Sequence, residues 1–541
     1  MKVAKKLLAA LLAMLMLVSV LAGCGGKPSG GDETITADGP KYGGHINVRI
    51  TAQPNGVDPL KQTGAFKYLY MTAVYEPILT RDAEDQIKAS VCDFTLSEDK
   101  LDLKLWVRDG FVFSNGDKVD IYDVEASINR FLNLYASGKK YVKPYVSSVT
   151  VEQEEGKDIV HIVFSSYHEK CMYYLAAYQT WCAVMPKEIC EKYATTYIVG
   201  DLQDAIGTGP YVFTEMEDNV SITIEKREDY VPVEGTGSGP AATKYGYLDS
   251  MTFYYNSTDA STAMALLAGD YDLAEVMPED YEPQAKEVGL TLEVLPSNQY
   301  TFIMFNTRGT GVCSKYPDLR KAILAAIDYE EFLDVVCDGS QVMINRFILD
   351  DKYETNAFVE ADYYGKSNFD LAQEYLKKAE EAGYNGAPVQ IAYNSARTDV
   401  PTLLRDYMDK AGIKCQVTTL EQAAASAFVA DPSNPWDFTF QWQTVATRPS
   451  LLSDSVLYNN YLNERKDVLR EEMAKLDPNS QEYMDAWNEI VQITADGAYM
   501  GVLAPIDWWW WHPSTLHSND EGYARYLYNT YWDDPQNHPK T

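Results

Sequence analysis

The order of apolar and polar positions predicts that strands and helices alternate along most of the chain. Residues 45–50 alternate in hydrophobicity as a half-buried strand does, whereas residues 122–134 repeat apolar side chains at helical spacing. The short apolar stretches at 159–164, 221–226 and 301–305 have the length of buried strands. A chain in which both element types mingle from end to end is expected to fold as an α/β protein.

Local signals predict where several of these elements begin and end. Gly269 should end a short helix, because glycine readily takes the left-handed conformation found after a last turn. Asp318 and Asp370 should each cap a helix, because a carboxylate can accept the free N–H groups of a first turn. The alternation through residues 102–113, broken by the turn pair Asp109-Gly110, predicts a β-hairpin.

The first 23 residues have the pattern of an export signal. Basic residues precede an apolar stretch over 7–21, which is shorter than the roughly 20 residues of a membrane span. The stretch ends in Leu21-Ala22-Gly23-Cys24, which resembles a bacterial lipoprotein signal and implies cleavage before Cys24 and lipid on its sulfur. The alternative is an ordinary secretion signal in which Cys24 has no role. Residues 24–40, rich in Gly, Ser and Pro, should form a flexible tether.

Composition and charge exclude some classes of function. The chain has 541 residues, of which 46% are hydrophobic, as expected for a folded protein. Its 79 acidic residues outnumber 46 basic ones, so the net charge is -33, and loss of the three lysines in residues 1–23 would make it -36. Such a surface repels phosphate backbones, so we expect no binding to nucleic acid. The 40 tyrosines are unusual, because tyrosine serves binding surfaces as well as cores.

No pattern typical of a catalytic or metal site is present in the sequence. The six histidines form no H-E-x-x-H, the cysteines form no C-x-x-C, and there is no G-x-S-x-G. The segment ending in Gly365-Lys366-Ser367 resembles a phosphate-binding loop, but Glu360 occupies the position of its first glycine. We therefore expect no enzyme activity, no cofactor and no metal, and we expect most of the seven cysteines after Cys24 to be buried thiols.

A series of short motifs extends from residue 43 to about residue 510. They include residues 43–48, 57–59, 74–79, 105–116, 207–213, 269–272, 305–307, 318–323, 326–328 and 379–384. Together they resemble, in the same order, motifs of the bacterial extracellular solute-binding proteins that include oligopeptide-, dipeptide- and nickel-binding members. Each motif is weak alone, but the shared order makes a chance match a poor explanation.

The resemblance implies a two-lobed, periplasmic-binding-protein-like (type II) α/β fold with an extra subdomain and a hinge between the lobes. The implied segments are a signal peptide at 1–23, a tether at 24–40, a main lobe at 41–75 plus 205–300 plus 498–541, an extra subdomain at 76–204, and a second lobe at 301–497. Closure of the hinge would enclose a ligand between the lobes.

The function implied by the resemblance is that of a substrate-binding lipoprotein of an ABC importer. It would capture extracellular peptides in the interlobe cleft and deliver them to permease subunits driven by a separate ATPase, without catalysis. We expect a monomer held by lipid on Cys24 at the outer face of the cell membrane, or in the periplasm. The alternatives are a receptor for a non-peptide solute such as an oligosaccharide in the same fold and, in another class, an extracellular hydrolase or adhesin.

Ten residues are implied as ligand contacts. The segment 436–443 resembles the family strand that lines the pocket, and Trp442 matches its pocket tryptophan. The stretch 505–511 resembles an aromatic pocket segment; in a strand, Trp508 and Trp510 would face one way and Trp509 and Trp511 the other. The candidates are Trp442, Gln443, Trp436, Trp508, Trp509, Trp510, Asp507, Tyr300, Asn55 and Gly56.

One departure from the family pattern concerns the charge of the ligand. Peptide-binding members carry an aspartate that pairs with the ligand's α-amino group, three residues after the pocket tryptophan, and Val445 stands there. A buried ammonium without a carboxylate partner is costly, by several kcal/mol. Either another acid serves, with Asp437, Asp454 and Asp507 as candidates, or the ligand lacks a free N-terminus.

Overall fold

The computed structural model describes most of the chain, in several ranges. They are residues 39–50, 56–61, 67–177, 181–255, 258–275, 279–337, 348, 351–353, 357–365, 367–394, 399–444, 449, 461, 463–518 and 525–540. The chain divides into two compact units at Lys41/Tyr42, and the fold given below is that of Tyr42–Thr541.

The described strands range from two to sixteen residues. In chain order they are β1 His45–Arg49, β2 Leu79–Arg81, β3 Ile87–Ala89, β4 Cys92–Leu96, β5 Asp102–Val107, β6 Val146–Glu154, β7 Lys157–Phe164, β8 Tyr211–Glu217, β9 Ser221–Lys226, β10 Ser250–Tyr254, β11 Leu273–Glu275, β12 Leu290–Phe305, β13 Val389–Asn394, β14 Cys415–Leu420, β15 Phe438–Thr444, β16 Met500–Pro513, β17 Leu516–His517 and β18 Tyr531–Trp532.

The described α-helices are interspersed among these strands. In chain order they are α1 Lys67–Val74, α2 Ile121–Leu134, α3 Glu169–Leu175, α4 Lys187–Lys192, α5 Asp259–Ala268, α6 Glu282–Glu287, α7 Val312–Lys315, α8 Pro317–Ala326, α9 Tyr329–Cys337, α10 Ala357–Glu360, α11 Phe369–Glu381, α12 Asp399–Lys410, α13 Gln422–Ala430, α14 Glu464–Met473 and α15 Gln481–Asp496. No helix in the described ranges is long and apolar enough to cross a membrane.

The largest sheet of the described residues has ten strands in the order β14-β13-β15-β12-β16-β11-β1-β10-β9-β8. Its two longest strands, β12 and β16, are adjacent and antiparallel and pair along most of their length, with register shifts between Pro296 and Gln299 and between Thr301 and Phe302. We call the strands β11, β1, β10, β9 and β8 the main half of the sheet, and β14, β13 and β15 the second half. The long pair β12–β16 therefore connects the two halves.

Four buried apolar clusters lie within the described residues, and the three largest accompany this arrangement. The main core contains Val48, Phe253 and Trp510, and it is packed on the main half of the sheet. The second core runs from Tyr300 to Leu503 and lies on the second half. The third core packs α2 on the four-stranded sheet β4-β5-β7-β6. Since β12 and β16 contribute side chains to both the main and the second core, they are the covalent link between two separately packed bodies.

The structure confirms some of the predicted element ends and corrects others. Gly269 follows α5 with φ 81°, as predicted. Asp318 does not cap α8, because Pro317 already starts the helix and Tyr316 is its N-cap residue. Asp370 does not cap α11; the side-chain oxygen of Asn368 accepts the Leu371 N–H at 3.0 Å instead. In both cases the predicted cap lies inside the first turn, where a carboxylate is still favourable through the helix dipole.

The predicted hairpin over residues 102–113 is wrong. The strand β5 pairs with β4 on one side and β7 on the other, so no edge is left for the residues after Gly110. Those residues form a smaller turn, in which the Phe113 N–H donates to the Asp117 carbonyl at 2.8 Å. Alternating hydrophobicity identified the strand correctly but carries no information about which strand becomes its partner.

Candidate functional site at the carboxyl ends of the parallel strands

Parallel strands in each half of the sheet end at a common edge. In the main half, β1 is parallel to β10 and β11, with Arg49 paired to Tyr254 and to Ala274. In the second half, β13 is parallel to β14 and β15. Ligands of open parallel sheets bind beyond the carboxyl ends of the strands, where loops diverge and backbone groups are free. These carboxyl ends, close to the β12–β16 pair, form the candidate site.

Three ionisable side chains lie at the carboxyl edge of the main half. Arg49 is the last residue of β1, and its Nη2 donates to Asp259 Oδ1 at 3.1 Å. Asp259 opens α5, whose first turn is capped by Thr258. Glu275 is the last residue of β11, the strand beside β1. The edge therefore carries one cation and two carboxyl groups close enough to influence one another.

Glu275 differs from the other two in its hydrogen bonding. Its Oε2 is buried and has no hydrogen-bond partner within the described part of the chain. The pKa of Glu275 is raised to about 8, chiefly by burial; Arg49 acts in the opposite direction, and Asp259 makes a smaller upward contribution. A buried carboxylate without donors is costly in its ionised form, so in the empty protein the neutral acid is preferred near pH 7.

The tryptophan stretch contributes a rigid platform beside this edge. Trp510 is fully buried in the main core and pairs across the sheet with Glu275 on one side and Glu293 on the other. The Arg525 guanidinium lies 5.1 Å from the centroid of the Trp510 ring and forms an ion pair with Glu293. Burial lowers the pKa of Arg525 to about 9. Trp510 thus acts through packing, between an ion pair and the Glu275 carboxyl group.

The predicted alternation of the tryptophans is confirmed for the neighbours Trp510 and Trp511. Trp510 belongs to the main core, whereas Trp511 packs on the other face of the sheet with Leu266 and Leu290. Trp509 is half-buried and pairs with Val294 of β12. The strand positions of Asp507 and Trp508 are opposite Pro296 and Leu295, and their side chains lie outside the described set.

The remaining candidates on the second half are distributed over both ends of β15. Trp442 and Gln443 lie towards its carboxyl end, opposite Thr301 and Tyr300 of β12; their side chains are outside the described set. The Tyr300 ring is buried in the second core, 6.1 Å from that of Phe302. Trp436 precedes the amino end of β15, and its indole N–H donates to the Asp431 carbonyl at 3.3 Å. The structure therefore does not bring Trp436 to the carboxyl edge.

Gly56 has a packing role that the sequence did not indicate. It is buried with φ +116°, and a Cβ there would lie 2.8 Å from the Ile198 carbonyl oxygen. The close approach lets residues near Ile198 reach Asp58, whose Oδ2 accepts the Ile198 N–H at 2.9 Å. Asn55 and Cys24 lie outside the described residues.

Asp437, one of the acids considered as a partner for a ligand ammonium, is already saturated. It is buried; its Oδ1 accepts the Cys313 N–H and its Oδ2 accepts the Gln390 N–H, each at 2.9 Å. It also lies at the amino end of β15, opposite the candidate edge. Asp437 is thus a structural carboxylate. Of the other two acids, Asp454 and the side chain of Asp507 lie outside the described set.

Glu275 is the site residue that sequence reasoning missed. The motif at residues 269–272 ends three positions before it, so the strand that carries it could have been located. Nothing in the sequence distinguishes it from the other acids, because its lack of donors depends on the tertiary surroundings. Within the described ranges, no group of three or more His, Cys, Asp or Glu side chains is placed to hold a metal ion.

Comparison with known proteins identifies the architecture. The model of the family described as bacterial extracellular solute-binding proteins, family 5 Middle, matches residues 83–466, more than half of the chain. The oligopeptide-binding protein AppA of Bacillus subtilis is 24% identical over 562 residues, which cover 96% of this chain and 97% of that protein. The match therefore extends over nearly the full length of both proteins.

Solved structures agree with this match. The ABC transporter substrate-binding protein CtaP from Listeria monocytogenes superposes with a TM-score of 0.74 at 19% identity, over 91% of this chain and 100% of that one. AppA from Bacillus subtilis, in complex with a nonapeptide, gives 0.71 at 18% identity over 91% and 100%. The expected fold class, two-lobed, periplasmic-binding-protein-like and α/β, is confirmed.

Proposed function

Because the chain belongs to the bacterial extracellular solute-binding proteins of family 5, we propose that it captures peptides and delivers them to an ABC importer. The peptides would lie between the two lobes, and permease subunits with a separate ATPase would receive them. The protein itself would act as a receptor and not as an enzyme. The relatives named as oligopeptide-binding proteins support a peptide over an oligosaccharide.

The observation that carries this proposal is the long strand pair β12–β16. It joins two bodies with separate cores, and it passes beside the carboxyl ends of parallel strands on both sides. Two bodies linked by a narrow connection can close on a ligand, and a peptide in the cleft can pair its backbone with a strand edge. We propose that the lobes follow the boundaries expected from the sequence, with the third core as the extra subdomain.

The proposed location is the outer face of the cell membrane, with Cys24 as the lipid attachment site. The export signal and the glycine-rich tether support it. The C24S variant should leave the membrane fraction, and the mass of the intact protein should fall by that of the acyl chains. An unchanged distribution would contradict lipid attachment.

We propose that the protein is a monomer.

The peptide proposal is tested with protein purified from the membrane fraction of producing cells. Native mass spectrometry of the protein as purified should detect co-purified peptides, since a closed receptor keeps its cargo. Pools of random pentapeptides should raise its Tm, because a ligand that binds only the folded state stabilises it. An increase in Tm with oligosaccharides alone would instead favour the alternative of a non-peptide solute.

A further inference from the structure

We infer that Glu275 is the acid that receives a cationic group of the ligand at the carboxyl edge of the main half. The group is an ammonium or guanidinium, and it comes either from the peptide's N-terminus or from a Lys or Arg side chain. The inference rests on the proposed peptide function. It supplies an acid where Val445 replaces the aspartate expected from the family resemblance.

The first step is the position of Glu275. It ends β11, whose neighbours in the sheet are β1 on one side and β16 on the other. Both β1 and β11 run towards the carboxyl edge, and β16 belongs to the strand pair that joins the two halves. A side chain at this point lies where a ligand between the lobes would pass. An acid at the amino ends of the strands would lie away from that ligand.

The second step is the charge at this edge. The Arg49 guanidinium is paired with Asp259 at 3.1 Å, and on the far side of Trp510 the Arg525 guanidinium is paired with Glu293. Each of these pairs is close to neutral. Ionised Glu275 would add a negative charge to this edge, and its buried Oε2 accepts no hydrogen bond from the described residues. A cation brought by the ligand is the missing complement, because a buried charge is stable only when it is paired.

The third step is the proton. In the empty protein burial favours the neutral Glu275 acid near pH 7. When a cation binds, the carboxyl O–H bond breaks, the electron pair stays on the carboxylate, and the proton passes to the buffer. Binding of a positively charged peptide near pH 7 should therefore release about one proton, whereas a neutral peptide should release none.

Asp272, directly before the same strand, provides a matched control. It precedes β11 at the amino end, and burial raises its pKa to about 6. Its Oδ2 accepts the Asn47 N–H at 2.8 Å, so its carboxylate already has a donor. Asp272 and Glu275 are thus two shielded acids at opposite ends of one short strand, and of the two only Glu275 has a buried carboxyl oxygen without a donor among the described residues.

The experiment compares the wild type with E275Q and D272N by calorimetry. The probes are four pools of random pentapeptides, with the N-terminus free or acetylated, and with Lys and Arg present or replaced by norleucine. Wild type should bind one class of cationic pool about 10- to 100-fold more tightly than its neutral counterpart, as expected for a charged hydrogen bond. E275Q should lose this preference and the proton release, whereas D272N should keep both. The pool pair that shows the preference identifies the source of the cation.

Several outcomes would overturn the inference. If the pools bind wild type equally, or if E275Q retains the preference and the proton release, Glu275 does not receive the cation, although the peptide function stands. If D272N loses the preference as fully as E275Q, the loss reflects the lower negative charge of this lobe and not a contact of Glu275 with the cation. If no pool binds wild type, the proposed peptide function itself fails and the inference falls with it.

Discussion

Asp437 in the second half of the molecule and Glu275 in the main half are both shielded carboxyl groups at the end of a strand. Asp437 lies at an amino end and accepts two backbone N–H groups at 2.9 Å each. Glu275 lies at a carboxyl end, and its Oε2 accepts none from the described residues. Burial raises the pKa of both, so burial alone does not distinguish them. The two groups differ instead in the number of N–H donors that their oxygens accept from the described residues.

This difference separates acids that hold the fold from an acid that is available to a ligand. A carboxylate that satisfies backbone N–H groups replaces the water those groups lose on folding, so its removal leaves orphaned donors. A carboxyl group without donors contributes nothing to the fold and is costly when ionised. Such a group is therefore a candidate functional residue, since perturbed pKa values concentrate at functional sites. Substitutions that bear on three acids, with their controls, test this distinction.

The largest effect is expected for the buried ion pair of Asp58 with Arg130. Like Asp437, Asp58 accepts backbone N–H groups and so supports the fold. It is fully buried and accepts the Leu60 and Ile198 N–H groups at 2.9 Å, and it is bound by the Arg130 guanidinium. R130M should lower the free energy of unfolding by about 4 kcal/mol, because an unpaired charge is left buried. Urea unfolding measures the change.

A matched control for R130M is the exposed pair of Arg465 and Glu489, whose nitrogen and oxygen atoms are 2.6 Å apart. R465M should cost less than about 1 kcal/mol, because water screens and replaces an exposed ion pair. Equal losses in the two variants would mean that the buried pair is not what stabilises this part of the fold.

The second effect tests Asp437 directly. D437A should lower the free energy of unfolding by about 3 kcal/mol, because the Cys313 and Gln390 N–H groups lose their acceptors. D437N should be milder, since an amide oxygen can still accept one of them. Both variants should keep the wild-type affinity for peptides in their folded fraction. A loss of affinity without a loss of stability would instead assign Asp437 to the ligand site.

The fold was largely predictable from local pattern because short-range physics determines it. The helix α2 follows from Val124, Ile128 and Phe131 on one face, and its capping box at Asp120 and Asp123 is equally local. The hairpin prediction failed because the partners of β5 are chosen by the packing of distant strands. Asp318 and Asp370 were misjudged as caps because a neighbouring residue, Pro317 or Asn368, set the helix start.

The site was less predictable, since it depends on which groups the fold leaves without partners. The alternation of Trp510 and Trp511 could be predicted because strand geometry alone sets it. The resemblance also identified the strands that carry Trp442 and Trp510. It could not single out Glu275 among 79 acidic residues, because the feature that matters, an Oε2 without a donor among the described residues, exists only in the folded chain.

The smallest expected effect is a gain in stability, whereas the effects above are losses. It concerns the ligand-free protein. The pKa of Glu275 in the fold, about 8, is above the ordinary value of 4.5. The unfolded chain therefore releases this proton at lower pH than the folded one, and the group's contribution to stability falls as the pH rises from about 5 to about 8. E275Q removes this penalty and should raise the free energy of unfolding at pH 8 by about 2 kcal/mol, less than the full shift would give because the residue is partly exposed.

Asp272 again supplies the control, since its pKa in the fold is about 6 and its contribution changes at lower pH. Urea unfolding between pH 6 and pH 8 should show that the free energy of unfolding falls with pH in wild type and D272N. The fall should be smaller in E275Q. Greater stability combined with weaker binding of cationic peptides is the combination expected of a residue kept for function at the expense of the fold. If E275Q were less stable than wild type at pH 8, Glu275 would belong with Asp437 and Asp58, and the distinction by donor number would fail.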